Sequence, residues 1–347
     1  MEVAEAAGHR RLRQEKARLK THRCRTESRN GRGEKGTLRR SGDDAQNGLV
    51  PGVELNYGGI PKVPANTRRL RTQLETLYTT YNRREYVHPD PLEAVHRFQD
   101  PSDQEIVGLL ASSLAFGDVR QIVRSVDDVL HRVPRPRHDI MSLSVADLRE
   151  KFVAFRYRYV SGAELTDLLL SVRRMLRVHG TLGRGFAEGM QRTDSSVLSA
   201  LVRFVARLRE GSRLPKNFLL PDPRRGSACK RLLLYLRWMV RRDDVDVGAW
   251  TGVSPCLCSA KLLAPIDTHM YRISRFLGWT DRRAPDLRTA LEVTQVLRCV
   301  SPEDPIRYDF ALTRLGIHGD AQLDTFLRTC LDIAGKSEVR AMDKTGR

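Results

Sequence analysis

From Asn66 onward, apolar side chains recur at the three- and four-residue spacing of helices, and no alternating strand run of convincing length interrupts them. Leu70, Leu74, Leu77, Tyr78 and Tyr81 share one face of a first helix, which must stop before V-H-P-D-P (87–91), where two prolines forbid continuation. Asp103 is expected to cap a long helix through Ile106, Val107, Leu109, Leu110 and Leu114. That helix should end at F-G-D, with Gly117 as its C-cap and Asp118 capping the next one, 119–133. Further amphipathic segments span 147–156, 163–179, 195–209, 230–240, 268–277, 287–299 and 307–315. The Pro-, Gly- and Asp-rich breaks between them have the length of helix–helix connections, so the fold class is all-α.

Residues 1–64 carry no such period. They are Arg-, Gly- and Ser-rich, and predict a disordered basic arm and linker ahead of a helical domain over 65–335 and a flexible tail over 336–347. No apolar run approaches the ~20 residues of a membrane span. No secretory signal is evident near Met1, and six scattered cysteines argue against a disulfide framework. A cytoplasmic chain with no membrane partner is the expectation.

Charge sharpens the picture. The net charge is +18, and residues 1–44 account for six of it, so the helical part is strongly basic as well. Two readings stand: a polyanionic partner, whose counterions are released on binding, or an Arg-rich composition spread over solvated faces.

Three stretches hold candidate chemistry. In A-P-I-D-T-H-M-Y-R-I-S-R-F-L-G-W (264–279), Asp267 stands where an N-cap belongs, and capping alone explains it. The same position also presents a carboxylate at the mouth of a helix. In L-L-P-D-P-R-R-G-S-A-C-K-R-L-L-L-Y-L-R-W-M-V (219–240), a tight polar connection precedes an apolar helix. Its backbone amides, with Arg224, Arg225, Gly226, Ser227 and Arg231, form a candidate phosphate site. Lys230, in the first turn of that helix, is either a solvated lysine or an amine nucleophile able to form a Schiff base at a sugar carbon. G-L-L-A-S-S-L-A-F-G-D-V-R-Q-I (108–122) is a core hairpin. F-R-Y-R-Y (155–159) interleaves Arg156 and Arg158 with aromatic rings, either to meet bases and phosphates or as a helix end with alternating buried rings. R-W-M-V-R-R (237–242) has the same two readings, with Trp238 expected in the core.

Taken in order, V-H-P-D-P-L-E, E-I-V-G-L-L-A-S-S-L-A-F-G, S-A-C-K-R-L-L-L-Y-L-R-W-M-V-R-R-D-D, P-I-D-T-H-M-Y-R-I-S-R-F-L-G and Y-D-F-A-L-T-R-L-G-I resemble the helix-hairpin-helix DNA glycosylase superfamily. Endonuclease III and archaeal 8-oxoguanine glycosylase belong to it, and residues 67–320 are most similar to a widespread bacterial family of uncharacterised members related to it. The resemblance implies a two-lobed all-α fold with a central cleft, and base excision from damaged duplex DNA, with or without strand cleavage, by a nucleoid-associated monomer. It points to Asp267 as the carboxylate facing the sugar and to Lys230 as the lyase amine, with Lys261 a weaker rival. A DNA- or RNA-binding module without the chemistry is the alternative.

The departures are specific. The superfamily hairpin L-P-G-x-G is here L-P-D-P-R-R-G, longer and with a single glycine. The 37-residue step from Lys230 to Asp267 is wider than in endonuclease III and closer to the archaeal branch. The four-cysteine cluster motif of many relatives is absent, because Cys256-x-Cys258 is too close for a C-x-x-C pair and Cys299 and Cys330 lie far off. No iron–sulfur cluster, no zinc and no other cofactor is therefore expected.

Overall fold

The computed structural model describes residues 66–214, 216–318 and 320–333, which form fourteen α-helices and one two-stranded ribbon. The expected basic arm (1–64) and tail (336–347) lie outside the described residues. No helix among those described is long and apolar enough to cross a membrane.

Helix α1 (Thr67–Tyr81) is capped by the Asn66 side chain and buries Leu70, Leu74, Leu77 and Tyr81 as the spacing predicts. A short α2 (Leu92–Val95) leads to α3 (Pro101–Leu114), which is buried almost all round from Glu105 onward. The cap of α3 is Asp100, not Asp103, because Pro101 has no amide to lose and fixes the first helical position. The Asp103 carboxylate instead accepts from Arg137 N (2.8 Å). The helix gives out at Leu114, and Gly117 (φ +98°) turns the chain before Asp118 caps α4 (Val119–Arg132) through Arg120 N and Gln121 N.

Helices α5 (Pro136–Ser142) and α6 (Val145–Phe152) follow. The latter starts early because Ser144 and Asp147 form a capping box, and it ends early because F-R-Y-R-Y leaves the helix. Residues 156–157 (β1) and 160–161 (β2) pair antiparallel, with Arg156 opposite Ser161 and Tyr157 opposite Val160. Phe155 and Tyr157 are buried while Arg156 and Arg158 are exposed, so the alternation at this point belongs to a ribbon rather than a helix end.

Next come α7 (Gly162–His179), α8 (Leu182–Ala187), α9 (Leu198–Arg209) and α10 (Lys230–Val240). The chain closes with α11 (Thr268–Phe276), α12 (Leu287–Val300), α13 (Asp309–His318) and α14 (Asp320–Ile333). The α10 boundaries coincide with those read from the sequence.

One contiguous apolar core runs through these elements. Helix α10 packs along α3, α11 packs on α13, and α1 packs against α12, α13 and α14. The α11–α13 crossing is close, since a methyl at Gly316 would lie 2.9 Å from His269. The D-T-H and T-R-L-G stretches therefore meet, with half-buried His269 packed against Gly316.

Candidate nucleic-acid interface

The connection into α10 is built from local hydrogen bonds. Asp222 accepts from Arg224 N (3.0 Å) and from the Arg224 guanidinium (Nε 3.0 Å, Nη2 2.8 Å), and these bonds hold its carboxyl below the usual range. Arg224 is thus already paired with a carboxylate. A 3-10 turn over Pro223–Arg225 then meets left-handed Gly226 (φ +77°), whose carbonyl accepts from Leu287 N (3.1 Å). Arg225, Gly226 and Ser227 are exposed. Cys229 takes a left-handed conformation (φ +49°) that costs a non-glycine residue about 1–2 kcal/mol. Burial pushes its thiol up to about 11, which leaves no thiolate for chemistry.

Lys230 and Arg231 reach across to the C-terminal end of α3, where helix geometry leaves carbonyls without intrahelical donors and the dipole favours cations. Lys230 Nζ lies 3.4 Å from Ala115 O. Arg231 donates to Ser113 O (2.5 Å) and Phe218 O (2.6 Å) and lies 4.3 Å from the Phe218 ring and 5.3 Å from Phe116. Desolvation lowers the Arg231 guanidinium to about 10. Both residues cap α3 whatever else they do.

A cluster of rings stands beside them. Phe116 stacks on Tyr159 at 5.4 Å and 17° and meets Phe218 (5.0 Å) and Tyr157 (4.9 Å) at steeper angles. The Tyr157 hydroxyl donates to Phe116 O, tying the ribbon to the turn after α3. Arg158 takes φ +51°, and its guanidinium lies over Gly117, where a Cβ would be 2.5 Å from Nη1. Arg156 is exposed on β1.

Asp267 is the N-cap of α11, accepting from Met270 N at 2.7 Å, and it is half-buried. Its second oxygen makes no hydrogen bond among the described residues, and no bond or ion pair joins Asp267 to Lys230. Its neighbours are Asp309 and Arg314, at the edge of a buried ion network. In that network Arg237 bridges Asp246 (3.1 Å) and Asp309 (2.5 Å), while Arg241 binds Asp246, Asp304 (3.0 Å) and Asp243 (2.9 Å). Arg314 reaches Asp90 at 2.6 Å. Burial works against the charge on Arg237 and Arg241, but the carboxylates around them outweigh it and hold both above their usual range.

Burial pushes Asp309 up to about 6, with Arg237 pulling it back and the Asp267 charge adding to the rise. Its Oδ1 is buried without a partner. Arg237 follows Lys230 by two turns on the same face of α10, about 10 Å of axial rise.

The structure therefore gathers Lys230, Arg231 and Arg158 around the 113–117 turn and sets Asp267 against the acidic network further along α10. Lys261 is held by the carbonyls of Gln191 and Arg192 (3.3 Å each). Asp309 carries no signal of its own in the sequence, being one charge in the helical pattern around Y-D-F, whereas Arg237 opens R-W-M-V-R-R, whose two readings the ion network replaces with a third. Groups of His, Cys, Asp and Glu that could hold a metal do not occur among the described residues.

A family model described as a protein of unknown function, DUF2400, matches residues 90–318. No curated protein and no solved structure matches the chain.

Proposed function

We propose that this chain, which belongs to the DUF2400 family, is a nucleic-acid base-excision enzyme, an N-glycosylase on a two-lobed helical fold of the helix-hairpin-helix glycosylase type. The observation that carries the reading is Asp267: a carboxylate fixed at a helix start by one oxygen, with the other unbonded, and backed by the buried Asp309. Breaking an N-glycosidic bond moves the bonding electron pair onto the base and leaves positive charge on the sugar ring. A preset carboxylate stabilises that charge without reorganising. Water then adds at the sugar carbon and gives up a proton. Taking the base out of the stack costs a few kcal/mol, least when it is damaged or mispaired.

Lyase chemistry would require Lys230 to leave Ala115 O, attack the aldehyde carbon of the base-free sugar as a neutral amine and lose water to form the imine, after which loss of the C2′ proton expels the 3′ phosphate. The second reading, a binding module without excision, is favoured by that same engagement of Lys230 and Arg231 with the end of α3 and by the single glycine of the 222–229 turn.

The test is incubation with duplexes carrying an oxidised, deaminated or alkylated base, with and without borohydride. Base release lost in Asp267→Asn supports the glycosylase, and a trapped adduct lost in Lys230→Ala adds the lyase. Salt-sensitive binding with every lesion intact overturns the enzyme in favour of the binding module.

A further inference from the structure

We infer that the ring cluster at the ribbon tip is a stacking platform for one unpaired nucleobase of a single-stranded or opened nucleic acid. The inference rests on the nucleic-acid reading above and names what that surface takes. Tyr159 is 60% exposed and Phe218 38%, and the two rings touch edge to face at 4.8 Å. The other exposed large apolar side chains among the described residues, Val145, Val153, Val178 and Ile317, are aliphatic, so Tyr159 and Phe218 are the exposed rings there, and they adjoin.

The rings are also prearranged. Phe116 backs Tyr159 in parallel, Tyr157 ties the ribbon to the Phe116 carbonyl, and Arg231 clamps the carbonyl of Phe218. A flat face supported from behind loses little freedom when a base stacks on it. Arg158 is a non-glycine residue in the left-handed region at that tip, and such conformations persist where the surroundings impose them, often at binding sites.

Charge selects the occupant. Arg158 lies 6.0 Å from the Tyr159 ring, Arg156 is exposed one pleat away, and Lys230 is at the adjoining turn. The bordering acids are engaged in caps: Asp118 caps α4, and Glu164 accepts from Ser161 N in the capping box of α7 and from Phe218 N. A ring face flanked by guanidinium groups matches a base flanked by phosphates, whereas a purely apolar peptide would leave those cations unanswered.

The experiment is fluorescence anisotropy of the full chain with a labelled oligothymidine, the same strand with central abasic residues, and a fully paired duplex. Tyr159→Ala is expected to weaken binding of the base-containing strand about tenfold while Tyr159→Phe retains it. Abasic residues should weaken the wild type similarly and leave Tyr159→Ala unaffected. Arg158→Ala should weaken all ligands and flatten the salt dependence. Tyr159→Ala binding within about twofold of the wild type overturns the inference. So does a concentration-dependent dimer that Tyr159→Ala abolishes while its oligonucleotide binding is unchanged. If the wild type excises a lesion and Tyr159→Ala does so with unchanged KM and unchanged strand affinity, only the platform fails. Base-dependent binding without excision of any lesion defeats only the glycosylase.

Discussion

Glu105 is buried in α3, and its carboxylate accepts from Leu182 N, Gly183 N and Trp250 Nε1, each at 2.9 Å. The two amides are the first of α8, which no intrahelical carbonyl can satisfy, so α3 caps α8 through one side chain. Burial raises the Glu105 carboxyl, and the three donors with Arg137 only partly oppose that rise. Glu105→Ala strands three donors, each worth ~1–3 kcal/mol when left unmade, while relieving the buried charge and admitting a water to the vacated space. The expected net loss is about 4 kcal/mol. Glu105→Gln keeps one acceptor but turns an amide against an N–H, for a loss of about 1–2 kcal/mol. Urea unfolding followed by tryptophan fluorescence measures both, with unchanged m required for the comparison. A Glu105→Ala loss below ~1 kcal/mol would refute the cap, as would a Gln variant less stable than the Ala variant.

Two other perturbations have definite outcomes. Asp309 is held at about 6 against an ordinary 3.8, so the folded chain binds more protons than the unfolded one between those values. Its contribution is therefore fullest at low pH and lost as pH rises through about 6, by about 3 kcal/mol. The stability difference between wild type and Asp309→Asn should fall accordingly from pH 4 to 7 in urea titrations, and a flat difference would contradict it. Gly117→Ala forces φ +98° on a Cβ that would sit 2.5 Å from Arg158 Nη1 and 3.2 Å from Tyr157 Oη. Thermal unfolding should show a loss of about 1–2 kcal/mol, with oligonucleotide affinity falling as Arg158 is displaced.

What the sequence determined by itself is whatever a few neighbouring residues encode. The helical period of Leu70 to Tyr81, the Asp118 and Asp267 caps, both ends of α10 and the burial of Trp238 were legible, because caps and apolar faces act over one or two turns. The short α5 and α8 were not, being too brief to show a period and begun by a proline or capped from a distant helix. Only the tertiary structure decided the fate of R-W-M-V-R-R. Arg237 and Arg241 look like surface charges on a helix, and their carboxylate partners lie as far along the chain as Asp304 and Asp309. It likewise decided that Tyr159, Phe116 and Phe218 form one ring cluster and that Asp267 meets Asp309 rather than bonding Lys230. Such pairings have no period in the chain. Their energy exists only once distant segments have excluded water together, and no window of neighbouring residues contains it.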